Sequence, residues 1–248
     1  MQLIAQTLFK TTRNIVDADV TLQMTAVLQK GKGENIVTIN DEDVFKVSSH
    51  VYMVRIVENE LVMYDGQDIY FYTLDGECTQ QVTVGRHVFD LLPMKYAVAI
   101  TYRDEGVYDD PIGKETIVVV KNDGTKISQL AFAEVHRLHY DIRFAKVKPF
   151  ACISPEINKI VHFNQHFDLL KIDNCPFDLG NVIALSYQYP YLLFVEENRW
   201  ICLHEDGKFE IHEQEFSVNL RSNYHRGPSL FIEIFEQQQL ISYSLQES

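Results

Sequence analysis

Ile69-Tyr70-Phe71-Tyr72-Thr73-Leu74-Asp75-Gly76, Ile117-Val118-Val119-Val120-Lys121-Asn122-Asp123-Gly124 and Trp200-Ile201-Cys202-Leu203-His204-Glu205-Asp206-Gly207 are three versions of one phrase. Each is a run of branched and aromatic residues, which fit a pleated surface, closed by an Asp-Gly turn. The Asp-Gly pairs lie 48 and 83 residues apart. The wider gap is about double a period of roughly 41, so a fourth copy belongs near its middle. Ile160-Val161-His162-Phe163-Asn164-Gln165-His166-Phe167-Asp168 fills that place, with the glycine lost. Asp43-Val44-Phe45-Lys46-Val47 and Gln239-Leu240-Ile241-Ser242-Tyr243 read as weaker copies at the flanks.

Six units at this spacing fill the 248 residues. A period of about 40–45 residues is that of a four-stranded propeller blade. The unit at 51–84 gives the pattern most clearly. Val51 to Val57 is an inner strand and Leu61 to Tyr64 a second. Asp65-Gly66 turns into a third, Ile69 to Tyr72, and Asp75-Gly76 into an outer one, Cys78 to Val84. Asp-Gly is read here as a two-residue hairpin turn with positive φ at both positions. The expectation is an all-β fold, a six-bladed β-propeller forming one domain over 1–248. Its approximate blades are 11–50, 51–84, 85–132, 133–178, 179–215 and 216–248, the last completed by 1–10. The unit from about 216 to 245 has room for three strands only, so Leu3 to Phe9 is expected to supply the fourth and close the ring. Five blades, or an irregular propeller, is the competing count. Residues 19–30 alternate apolar and polar with period two and read as strand, and Pro190 marks a strand boundary.

Composition narrows the function classes. Lys and Arg number 22 against 35 Asp and Glu, a net charge of −13. That balance disfavours nucleic acid and anionic membrane surfaces, both of which select basic patches. Hydrophobic residues make up 46% and charged residues 23%, too apolar for disorder. No run is long enough to cross a bilayer as a helix, and Met1 to Lys10 lacks the pattern of a signal peptide. Cys78, Cys152, Cys175 and Cys202 form no paired motif, so they read as reduced thiols in a cytoplasmic protein.

The most unusual stretch is Tyr102-Arg103-Asp104-Glu105-Gly106-Val107-Tyr108-Asp109-Asp110-Pro111-Ile112-Gly113-Lys114, an insertion where the preceding unit spends Asp65-Gly66-Gln67-Asp68. Long loops that open on one face of a rigid scaffold commonly bind. Tyr102, Asp104, Glu105, Tyr108, Asp109 and Asp110 are therefore candidate ligand or partner contacts. His136 and His139, between the third and fourth units, join them on the same face. The carboxylate order does not match a calcium loop, and His162 and His166, four apart on one strand, lack a third ligand. No metal, cofactor or nucleophile motif is assigned; Lys30-Gly31-Lys32-Gly33 lacks the end of a phosphate loop.

Asp104-Glu105-Gly106-Val107-Tyr108, then Pro111-Ile112-Gly113 and a strand ending in Asp123-Gly124, resembles a motif of uncharacterised bacterial propeller-like proteins. There an Asp-Glu-Gly-aliphatic-aromatic run precedes Pro-Ile-Gly and a Phe-Asp-x-x-Gly strand end. This chain has a shorter spacer, and Lys121-Asn122 replace the Phe-Asp pair. More broadly the repeats resemble the WD40-like and quinoprotein-like propeller superfamily, without its Gly-His or Trp-Asp landmarks. The resemblance implies a fold and carries no catalytic residue across.

The favoured functional expectation is a non-enzymatic binding or scaffold propeller that takes a basic protein or a small polar ligand on its loop face. The alternative is a glycosidase-like or lyase-like enzyme using two carboxylates drawn from Asp65, Asp104, Glu105, Asp141 and Glu197.

Overall fold

The structure, a computed structural model, describes residues 1–145, 150–154, 157–217, 219–225 and 227–246. After β1 (Gln2–Lys10), the chain lays down antiparallel sheets in sequence order. The first is β2 (Ile15–Val20), β3 (Thr25–Lys30), β4 (Glu34–Ile39) and β5 (Glu42–Ser48). The second is β6 (Met53–Val57), β7 (Glu60–Tyr64), β8 (Asp68–Thr73) and β9 (Cys78–Thr83). The third is β10 (Val88–Met94), β11 (Ala97–Tyr102), β12 (Ile117–Lys121) and β13 (Lys126–Ser128). The fourth is β14 (Arg143–Ala145), β15 (Phe150–Ser154), β16 (Ile157–Phe163) and β17 (Leu169–Asn174). The fifth is β18 (Ala184–Gln188), β19 (Tyr191–Val195), β20 (Arg199–His204) and β21 (Phe209–Glu213). The sixth begins with β22 (Leu220–Ser222), β23 (Phe231–Phe235) and β24 (Gln239–Gln246). Its fourth strand is β1, paired along β24 from Gln2 opposite Gln246 to Lys10 opposite Gln239. The fold is a six-bladed all-β propeller, and the rival count of five is set aside.

The repeated phrase has a structural cause. In blades two, three and five, the residue after the third strand's turn is Gly76, Gly124 or Gly207, at φ of +94°, +83° and +85°. Each glycine N–H returns to the carbonyl three residues back, Thr73, Lys121 or His204, at 2.9–3.1 Å. Only the glycine has positive φ, so this is a three-residue turn with a bulge, not the two-residue turn expected from Asp-Gly alone. Blade four builds the same turn without glycine: Phe167 takes φ +62° and its N–H reaches the Asn164 carbonyl at 3.0 Å. The strained backbone is offset by packing, since the Phe167 ring stacks on Phe163 at 4.9 Å, and Phe163 on Phe150 at 5.4 Å.

Three readings of the sequence are corrected. Residues 19–30 are not one strand but a hairpin: Thr21 Oγ1 accepts the amides of Gln23 and Met24 at 3.1 and 2.9 Å and turns the chain. Asp43 to Val47 lies in the outer strand β5; the third strand of that blade is β4, ending at Asn40-Asp41, which both adopt positive φ. His162 and His166 do not share a face, because β16 ends at Phe163 and Asn164 Oδ1 accepts the amides of His166 and Asp168 in a turn.

By contact density the chain divides into Met1–Lys10 with Arg143–Ser248, and Thr11–Ile142. Within Thr11–Ile142, the first strands β2, β6 and β10 lie side by side. Their contact is polar. Asp17 Oδ2 accepts the Val54 amide at 2.8 Å and Asp19 Oδ2 the Ile56 amide at 2.7 Å, so carboxylates take the place of ladder carbonyls. Arg55 then bridges outward to Asp17 at 2.6 Å and Asp90 at 2.8 Å. Apolar residues of both sheets fill the space between blades, among them Leu28, Leu61, Tyr64, Phe71 and Ile100. In the other unit, β14, β18 and β22 are neighbours in the same manner, and Ser222 Oγ accepts the Leu185 amide at 3.0 Å. Its cores gather Phe194, Ile201, Trp200 and Phe231, with Leu3 of β1 packed into the last of them.

Candidate functional site

The insertion between β11 and β12 folds into α1 (Asp104–Asp109), a single helical turn and a half, followed by a 3-10 turn at Gly113–Glu115. Its anchor is the connection from blade two to blade three, Val84 to His87. Tyr64, ending β7, donates its hydroxyl to the Gly85 carbonyl at 2.9 Å. Tyr102, in the matching position of β11, donates to the Val84 carbonyl at 2.7 Å. Asp110 completes the latch: Oδ2 accepts the Arg86 amide at 3.1 Å, and Oδ1 accepts those of Ile112 and Gly113 at 2.8 and 3.2 Å. Burial works to raise the Asp110 pKa, but these three amides and the Arg86 charge outweigh it and hold the carboxyl below the ordinary range.

The motif glycines are explained by the same geometry. A Cβ on Gly113 would stand 2.1 Å from the Gly106 carbonyl oxygen, and one on Gly106 would press on Tyr102 Cβ and the Arg86 carbonyl at 3.0–3.1 Å. The Asp-Glu-Gly and Pro-Ile-Gly segments are thus two backbones in contact, pinned by Asp110. Gly113→Ala is expected to cost at least about 1–3 kcal/mol locally, the usual scale for overpacking. The measurement is amide hydrogen exchange: protection falls across 103–116 in this variant and is retained in Gly180→Ala, where the added methyl meets Asp178 at an ordinary 3.4 Å. Equal exchange in the two variants would contradict the latch.

The candidate residues separate into two groups. Tyr102 is fully buried and Asp110 is half-buried, both engaged in holding the loop. Asp104, Glu105, Asp109 and Tyr108 point to solvent, with Tyr108 61% exposed. His136 ends a second helix, α2 (Leu130–His136), half-buried with its ring edge on Phe132 at 4.8 Å, and burial lowers its pKa. His139 is exposed beyond the left-handed cap at Arg137. Beside the loop lies a cleft of about 470 Å³ bordered by Gln67, Arg86, His87, Asp109, Asp110 and Ile112.

A second cleft, absent from the sequence reading, lies between blades four and five, with a volume of about 470 Å³. Ala151, Leu192 and Leu203 supply apolar walls. His162, Lys171 and Asp173 line one side and Tyr187, Glu205 and Asp206 the other. The available signal was the period-two placement of Lys171 and Asp173 on β17, which sets both on one face. Only tertiary structure brings that face opposite the β20–β21 turn.

No protein-family model matches the chain, and no curated protein matches it. Solved structures do. Selenomethionine-substituted virginiamycin B lyase from Staphylococcus aureus aligns over 99% of this chain and 100% of its own, at 11% identity and a TM-score of 0.59. BBS1N, solved in complex with ARL6DN, aligns over 90% of this chain and 76% of its own, at 11% identity and a TM-score of 0.56. The Neurospora crassa Pan2 WD40 domain aligns over 89% and 72%, at 8% identity and a TM-score of 0.55. The likeness is one of fold. One of these propellers is a lyase and another was solved holding a protein, so the shared frame serves both chemistry and binding.

Proposed function

We propose that this propeller is a non-enzymatic binding module that recognises a basic partner protein through the loop built on α1. The observation that carries the reading is Tyr108, 61% exposed and flanked by the exposed carboxylates of Asp104, Glu105 and Asp109, on a loop pinned at its base. An aromatic residue held on a rigid support gives contact area at little entropic cost, and surrounding acid steers a cationic surface toward it. The net charge of −13 acts in the same direction. BBS1N, taken in complex with ARL6DN, is a precedent for protein binding by the same fold.

An acid-base enzyme is less well supported. Burial raises the pKa of Asp65 as it does that of Asp110, but in Asp65 the Asp68 amide, the Tyr70 hydroxyl and the Gln67 amide outweigh it. The Asp65 carboxyl, one of the candidate acids, is held low, the reverse of what a general acid needs. The proposal extends to a reducing, cytoplasmic setting, in keeping with four free thiols of which Cys152, Cys175 and Cys202 are buried.

The test is site-specific photo-crosslinking from position 108, with the crosslinked protein identified by mass spectrometry. A basic protein is expected at low salt, with its yield lost in high salt and in the D104K/E105K/D109K variant. A crosslinked protein whose yield ignores both salt and charge reversal would overturn the reading.

A further inference from the structure

In the sheet order β1-β24-β23-β22, β1 is the outer strand of the sixth blade. The register tells which of its backbone groups face outward. The Tyr243 carbonyl accepts the Leu230 amide at 2.7 Å, so Tyr243 turns its backbone groups toward β23. The N–H and C=O of one strand residue point the same way and successive residues alternate, so Ser242 and Ser244 turn theirs toward β1. They stand opposite Gln6 and Ile4. The amides and carbonyls of Leu3, Ala5 and Thr7 therefore point away from β24. Among the described residues, nothing bonds to them from that side.

Outer strands usually carry a device against pairing with another molecule. Here β5 holds Asp43 and Lys46, β17 Lys171 and Asp173, and β21 Glu210 and Glu213, while β13 is only three residues long. β9 has no charged side chain, but Lys126 of the next blade donates to its Thr83 carbonyl at 3.2 Å. The turn of that blade also lies against it, since a Cβ on Gly124 would meet Gln80 and Val82 at 3.3 and 3.7 Å. β1 has neither protection. It is nine residues long, holds no ionisable side chain from Gln2 to Phe9, and is exposed throughout Ile4-Ala5-Gln6-Thr7. A bulge between Thr7 and Phe9 limits the usable edge to Leu3–Thr7.

That edge is its own complement. Its free groups recur at alternate residues and are centred on Ala5. A twofold axis beside Ala5 sets it against Ala5 of a second copy and sets Leu3 against Thr7, each pair exchanging both hydrogen bonds. Ile4 then lies across from Gln6, and the smallest side chain sits at the axis. Charge favours the same occupant. Each copy carries −13, and a strip free of ionisable groups joins two of them without setting carboxylates face to face.

We infer that the β1 edge joins two copies of this chain in an antiparallel twofold dimer centred on Ala5, with one continuous sheet running through both sixth blades. The inference does not rest on the α1-loop reading.

The test is sedimentation velocity of the intact protein from about 10 µM to about 1 mM, at low and high salt, since so short an edge gives an interface at the weak end of the specific range. A monomer–dimer equilibrium is expected, shifting to dimer with concentration and with salt, because screening relieves the repulsion between two acidic copies. The basic partner of the α1 loop has the opposite salt dependence, so the two readings fail separately. Ala5→Lys sets like charges against each other at the axis and is expected to weaken the dimer about fivefold or more. Ala5→Glu does the same, and mixing the two variants is expected to restore association. Ala5 is exposed, so neither variant disturbs the core. In the parent, amide exchange at Leu3, Ala5 and Thr7 is expected to slow with concentration, while Ile4 and Gln6, already turned to β24, stay unchanged. A parent that remains monomeric at the top of that range, even if it accepts a foreign extended peptide on β1, would overturn the proposal. So would a dimer indifferent to Ala5→Lys, a mixture no more associated than either variant alone, or growth beyond the dimer.

Discussion

Removing residues 1–10 is expected to lower the melting temperature by about 10 °C or more. That segment is β1, which pairs with β24 over nearly its whole length and buries Leu3 and Phe9. Burying two such side chains contributes about 3–6 kcal/mol at roughly 1.5–3 kcal/mol each. In a chain of this size each kcal/mol moves the melting temperature by about 2–4 °C. Without β1, the backbone groups of β24 that face it lose their partners, and the strand becomes an open edge that invites pairing between molecules. Differential scanning fluorimetry gives the shift, and light scattering detects the accompanying association. A truncated protein that melts with the parent and stays monomeric would remove β1 from any part in stability.

Arg55→Ala is expected to be the most damaging single substitution in the Thr11–Ile142 unit. Arg55 is 3% exposed and donates to Asp17 at 2.6 Å, to Asp90 at 2.8 Å, and to the Leu91 and Val54 carbonyls at 3.2 and 2.7 Å. It therefore ties together the first strands of three successive blades. Burial alone disfavours the guanidinium charge, but Asp17, Asp90 and Asp19 outweigh that and raise its pKa, so the cation is firmly held. Deleting one partner of a buried ion pair costs about 3–5 kcal/mol, because the remaining charges keep their desolvation and lose their compensation. Asp17 on β2 and Asp90 on β10 then lose their shared cation. Urea unfolding gives the comparison. Arg55→Lys, which keeps the charge but not the planar fork, is expected to fall between the parent and the alanine variant. An Arg55→Ala protein within about 1 kcal/mol of the parent would show the cluster to be dispensable, since surface-like substitutions give changes of that order.

This arginine shows where sequence reading stopped. Ile15-Val16-Asp17-Ala18-Asp19-Val20 carries two acids at alternate positions of an apolar strand, a visible anomaly. Period two sets both on one face, but it does not say that the face meets Val54, Ile56 and Arg55 thirty-seven or so residues on. The α1 loop was located because it interrupts a repeat, and interruptions are read by local comparison. The division of its residues into anchors and exposed contacts was not legible. Tyr102 and Tyr108 look equivalent in sequence, yet one donates its hydroxyl to Val84 inside the protein and the other projects into solvent. Asp109 and Asp110 are adjacent and chemically identical, and only the latter has three amides within reach.

The amino-acid sequence by itself determined the blade and pointed to six copies and to the strand that completes the last one; the structure decided the count of six over five. Those features depend on periodic burial and on turns in which few residues tolerate positive φ, and both are written over a handful of neighbouring positions. Even the lost glycine was locatable, because Phe167 keeps the turn that Gly76, Gly124 and Gly207 make elsewhere. Tertiary structure alone decided how charge is used. Coulomb energies and desolvation depend on distances between residues far apart in the chain. The same carboxylate is thus a rung between strands at Asp17 and a latch at Asp110.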